Sequence, residues 1–194
     1  MSLGETPAAS RLTMLYLQAF DTRGDNRVSY RQLDYARLIQ WLSTSLELDP
    51  RSQYPLFSAS RIYTETNDAQ RVGLMLEFIH TRFQEDPDRR WPWLAHAALV
   101  AKHRLNDLPR ARRYAVAIDR LTRDPSVPLW AKQMEIFILE DMNELEAARI
   151  LLGGLLEAGR IEDPAERRFL EDRLRQLEQR QPERNANTPA HRED

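Results

Sequence analysis

The side chains of this 194-residue chain that are capable of chemistry are few, and their spacing rarely suits it. His96 and His103 lie seven residues apart, close enough to two helical turns that one helix face can present both. No HExxH pattern, no third ligand at usable spacing and no carboxylate partner accompanies them, so metal binding is not expected. His96 reads instead as a buried or boundary histidine with one satisfied nitrogen. Cysteine is absent, which excludes disulfides, thiolate metal sites and a cysteine nucleophile. The carboxylates of EDMNELE, Glu140 to Glu146, fall at a turn and a helix start, where acids complement the helix dipole without doing chemistry. No paired acids suggest a hydrolase. The expectation is therefore a non-enzymatic protein with no catalytic residue, no metal and no cofactor.

Two further segments invite a sharper reading. FDTRGDNRVSYRQL, Phe20 to Leu33, resembles a calcium-binding EF-hand loop, with Asp21, Asp25, Val28 and Gln32 near the required places. Arg23 stands where an oxygen ligand is needed, Asn26 replaces the turn glycine, and Gln32 lacks the bidentate carboxylate. An inter-helix loop closed by a capping box, with Ser29 bonding forward and Gln32 reaching back, explains the same residues. Between Lys102 and Arg123 stand Arg104, Arg110, Arg112, Arg113 and Arg120 against Asp107, Asp119 and Asp124, so this helix pair is locally basic. Nucleic-acid binding there would need those arginines on one face with aromatics for stacking, and Tyr114 is the only aromatic in the stretch.

The elements that must position any site are marked by proline. Asp-Pro occurs at Asp49-Pro50, Asp86-Pro87, Asp124-Pro125 and Asp163-Pro164, so successive prolines are 37, 38 and 39 residues apart. Proline lacks the amide hydrogen and disfavours helix in the residue before it, so each pair separates one helix from the next. Pro55, Pro92 and Pro128 then stand at the heads of apolar stretches, where a first helical turn tolerates them. Weaker stops at Asn67-Asp68, Asn106-Asp107 and Asn143-Glu144 divide each unit into two helices and a tight turn.

Apolar periodicity predicts helix pairs at about 53–66 with 68–85, 91–105 with 107–123, and 128–141 with 144–158. Leu12, Leu15, Tyr16, Ala19 and Phe20 mark a first helix, and Leu33, Leu38, Leu42, Ser45 and Leu46 a second that ends at Pro50. Past Pro164, Phe169, Leu170, Leu174 and Leu177 form a narrow stripe on a charged helix suited to capping a stack. The fold expected is all-α: about four antiparallel helix pairs plus a C-terminal capping helix, over residues 7–180. Residues 1–6 are read as a flexible start and 181–194 as a disordered tail. With 28 Lys and Arg against 30 Asp and Glu, the net charge of -2 draws the chain toward neither nucleic acid nor anionic lipid. No apolar run approaches the roughly 18 to 20 residues of a membrane span.

Leu56, Ala59, Ser60 and Tyr63 with Val72 and Leu76, then Trp93, His96, Ala97 and Val100 with Ala111 and Ala115, and finally Ala148 and Leu152, partly match the tetratricopeptide pattern. SLELDP, residues 45 to 50, is similar to the close of such a repeat. Residues 29 to 160 thus resemble a degenerate tetratricopeptide-repeat protein, its units three to five residues longer than the family's 34. DRRWPWLAHAALVAKHRL and the stretch from Trp130 to Gly159 are also similar to a group of uncharacterised bacterial proteins of this architecture, many anchored to a membrane by an upstream segment.

The resemblance implies an α-solenoid whose concave face is lined by the first helix of each pair. By register that face would carry Tyr54, Phe57 and Arg61, then Trp91, Leu94, Ala98 and Lys102, and aromatics beside cations favour protein recognition. Against this, Tyr54, Trp91 and Trp93 have the spacing of side chains that wedge neighbouring helices together. The function expected is a scaffold or adaptor that binds another protein or peptide segment. The alternative is an accessory subunit that binds nucleic acid or an anionic surface through the basic third pair.

Overall fold

The computed structural model describes residues 5–22, 33–157, 161 and 163–187. Ten helices make up the regular structure of these residues, and no strand occurs among them. They are α1 (Glu5–Thr22), α2 (Tyr35–Leu48), α3 (Tyr54–Arg61), α4 (Ala69–Phe83), α5 (Pro87–His103), α6 (Leu108–Leu121), α7 (Leu129–Lys132), α8 (Met134–Asp141), α9 (Leu145–Glu157) and α10 (Pro164–Asn187). None among the described residues is long and apolar enough to cross a membrane. The chain divides into two compact units, residues 1–132 and 133–194.

In the first unit, aspartate starts the second helix of each pair. Asp34 accepts hydrogen bonds from the amides of Ala36 and Arg37, Asp68 from Gln70 and Arg71, and Asp107 from Arg110, satisfying donors that a helix start leaves open. The second helix of the first pair begins at Tyr35 under Asp34, and the capping box read at Ser29–Gln32 lies outside the described residues. The turn before α6 is closed by Asn106, whose positive φ of 52° suits asparagine better than a branched residue. Sequential helices pack in the pairs α1–α2, α3–α4 and α5–α6, and α2 also meets α3 as α4 meets α5. Like helices touch as well, α2 with α4 and α3 with α5. The core between them holds Leu42, Leu56, Met75, Leu76, Ile79 and Leu94, each fully buried.

Polar side chains fasten one pair to the next. Arg90, 2% exposed, donates to the carbonyls of Arg82 and Pro50 and pairs with Glu85 at 2.7 Å. At the other end of α5, Arg104 donates to the carbonyls of Thr64 and Thr66. Asp88 accepts from the amides of Arg123 and Asp124, Arg89 donates to the Arg51 carbonyl, and the Tyr35 hydroxyl donates to the Tyr63 carbonyl. Each bond satisfies loop backbone that would otherwise be orphaned where helices end.

In the second unit, α8 packs on α9 and α9 on α10. Glu140 of α8 is buried and accepts from Nε of Arg173 on α10 at 3.0 Å, so burial of the carboxylate is offset by a charge-assisted bond. The turn between α8 and α9 is closed by Asn143, with φ of 61°. Leu170 and Leu177 are buried, whereas Phe169 is 56% exposed. The segment expected to be disordered from residue 181 is helical through Asn187, because Glu, Gln and Arg propagate a helix already docked by those leucines. Residues 188–194 and 1–4 lie outside the described residues. Glu5 and Thr6, read as flexible, belong to α1.

Candidate functional site

Helix α3 is short and buries one side through Leu56, Ala59 and Ser60. Its other side is a stripe at three- and four-residue spacing: Tyr54 half-buried, Phe57 36% exposed, and Arg61 exposed. Tyr54 and Phe57 stack with ring centroids 5.9 Å apart, and Phe57 meets the edge of Trp93 on α5 at 5.8 Å. The Trp93 indole N–H donates to Gln53 Oε1 at 2.6 Å, which fixes the ring against the residue before α3. Tyr54 also lines a cavity of about 460 Å³ together with Ser10, Arg11, Met14 and Leu15 of α1 and Ser52. An aromatic strip thus runs from that cavity across α3 to α5.

Helix α5 is rotated from the orientation its sequence suggested. Leu94 and Ala98, expected on the open face, are 0% and 1% exposed and belong to the core. With α3, α4 and α6 all packed on α5, one open row of the helix runs through Arg89, exposed, Pro92 and His96, half-buried, Leu99, 47% exposed, and His103, exposed. Trp91 and Lys102 lie half-buried at the ends of a different row, whose middle is the buried Ala95 and Ala98. There Trp91 meets the exposed Trp130 edge-on at 5.5 Å. Of the residues singled out from sequence, the structure brings together Tyr54, Phe57 and Arg61, and sets Trp91 and Lys102 apart from them. Trp93, His96 and Leu99 were not assigned to the open face from sequence. The signal was present in Ala95, Ala97, Ala98 and Ala101, whose small side chains mark the faces of closest helix approach.

His96 sits beside Arg61 and the Ser60 backbone, and its Nδ1 is buried without a hydrogen-bond partner. Burial lowers its pKa from 6.5, and the neighbouring Arg61 charge lowers it further against the opposing pull of Glu65. On the opposite side of the pairs, His80 of α4 is lowered in the same way, by burial and then Arg113, with Glu77 opposing. A histidine whose folded pKa lies below its unfolded value binds fewer protons folded than unfolded. Stability is then complete above about pH 6.5 and falls as pH drops below it toward the folded values. Urea unfolding midpoints are expected to fall between about pH 7.5 and about pH 5.5, with a smaller drop in a His80→Gln/His96→Gln variant. A midpoint unchanged over that range would contradict both assignments.

Three arginines of the third pair, Arg104, Arg110 and Arg113, are held by neighbouring groups, while Arg120 is exposed. Arg104 is held by the backbone carbonyls of Thr64 and Thr66, and Arg110 pairs with Asp107 at 3.1 Å and approaches Glu77 at 3.8 Å. Arg113 pairs with Glu77, which also accepts from the Tyr114 hydroxyl at 3.1 Å. Tyr114 itself is fully buried, and that burial, with Glu77 beside it, raises its pKa far above the usual phenol range. No group of three or more histidines, aspartates or glutamates able to hold a metal occurs among the described residues. The loop that resembles an EF-hand lies, from Arg23 to Gln32, outside them. Comparison of the chain with family models, curated proteins and solved structures gave no match.

Proposed function

We propose that the first unit is a helical-repeat scaffold of the tetratricopeptide type that holds a peptide segment of another protein along α1, α3 and α5. The observation that carries this reading is the continuous strip Tyr54–Phe57–Trp93, which opens at one end into the 460 Å³ cavity and is followed one turn along α3 by Arg61. Such a strip offers a binding segment large apolar area at small entropic cost beside a cationic handle. The repeat reading is supported by the contacts of like helices, α2 with α4 and α3 with α5. It is supported too by the spacing of the polar fasteners, since Ser10 with Ser45, Gln53 with Trp93 and Thr64 with Arg104 are 35 to 40 residues apart, about one repeat.

The test uses the immobilised full chain and a lysate of the organism that encodes it. A Phe57→Ala/Arg61→Glu variant is expected to lose the protein that wild type retains, with a loss of affinity of about a hundredfold if both side chains act as anchors. An Ile150→Ser control, altered at a 59% exposed position on α9, should retain it. Equal retention by all three forms would remove α3 as the binding face.

A further inference from the structure

Helix α3, which carries the strip, contains no aspartate or glutamate, and neither do residues 89–103 of α5, although α1 contains Glu5 and Asp21 and α5 has Asp88 in its first turn. On the first helices, Arg89 is paired with Asp86 and the Arg51 carbonyl, and Arg90 is buried in its own network. Arg11 and Arg61 are exposed and make no ion pair with any described residue. Arg11 borders the cavity that Tyr54 lines, and Arg61 stands two helical turns beyond Tyr54 on the same stripe, so the aromatic strip runs between two guanidiniums that lack a counter-charge.

We propose that this face selects an acidic peptide segment, whose carboxylates engage Arg11 and Arg61 while an aromatic or aliphatic side chain packs on Tyr54, Phe57 and Trp93. This rests on the reading of the face as a peptide-binding surface and adds the chemistry of its partner. Guanidinium groups pair with carboxylates through two parallel hydrogen bonds, which gives direction as well as charge. With no carboxylate on α3 to repel it, an acidic chain meets no like charge from the helix that carries Tyr54, Phe57 and Arg61. Aromatics and arginines also serve single-stranded nucleic acid, but that ligand needs a row of cations to track its phosphates. Two unpaired guanidiniums on a chain of net charge -2 favour the peptide.

The experiment is a selection of random displayed peptides on the full chain, followed by fluorescence anisotropy of the best synthetic peptide. Enriched peptides are expected to carry net negative charge with at least one large apolar residue. Their binding should weaken about tenfold or more in an Arg11→Gln/Arg61→Gln variant and fall with added salt. Enrichment of neutral or basic peptides that still depend on Phe57 would overturn the acidic preference and leave the binding face standing. Peptides indifferent to Phe57 and to both arginines would overturn the face itself. A single-stranded oligonucleotide that displaces the acidic peptide and binds more tightly would assign the face to nucleic acid instead.

Discussion

Replacing Arg90 with methionine is expected to destabilise the protein by about 3 kcal/mol, while Arg89→Ala changes stability by less than about 0.5 kcal/mol. The two arginines are neighbours in sequence and alike in composition, but 2% of the Arg90 side chain is exposed against 43% of Arg89. Arg90 satisfies the Arg82 carbonyl at the end of α4 and the Pro50 carbonyl before α3, and it pairs with Glu85. Methionine fills similar space and leaves those acceptors without a donor. Lysine restores the charge but not the planar fork that reaches both loops, so Arg90→Lys should recover little. In thermal unfolding, Arg90→Met corresponds to a fall in Tm of about 10 °C. Equal effects at positions 89 and 90 would mean that Arg90 does not fasten the loops.

A pair of glutamates tests the rotation of α5. Ala98→Glu is expected to cost more than about 4 kcal/mol, enough to unfold the first unit, because it places a charge without a partner in a core where Ala98 is 1% exposed. Leu99→Glu, one residue on but 47% exposed, should stay within about 0.5 kcal/mol of wild type. Circular dichroism during urea unfolding distinguishes them. The orientation suggested by the sequence, with Ala98 on the open face, requires Ala98→Glu to be tolerated.

The helices were legible because their ends are written in residues with fixed backbone consequences. Asp-Pro and the Asn-Asp steps located the breaks around α3, α4, α5 and α6 to within a few residues. The start of α5 was not, since Pro92 was taken for a first-turn proline while the helix begins at Pro87 and carries Pro92 inside it. A proline there only deprives the Asp88 carbonyl of its helical donor, a loss one exposed turn can bear. The interruption at Gln133 between α7 and α8 has no glycine or proline to announce it. The face on α3 was legible because Tyr54, Phe57 and Arg61 keep helical spacing opposite the buried Leu56, Ala59 and Ser60. The face on α5 was not, because its alanines bury on several sides, and tertiary packing rather than amphipathicity decides which residues stay open. The counter-charge of the third pair was not legible for a related reason: Glu77, which pairs with Arg113 and approaches Arg110, comes from a helix about 35 residues earlier.

Amide hydrogen exchange of the full chain, alone and saturated with its best selected peptide, tests the binding face most directly. Slowed exchange in residues 54–61 and 92–103, with α6 and α9 unchanged, is the outcome expected if α3 and α5 form that face. Protection confined to α6 or α9, with none on α3, would contradict it.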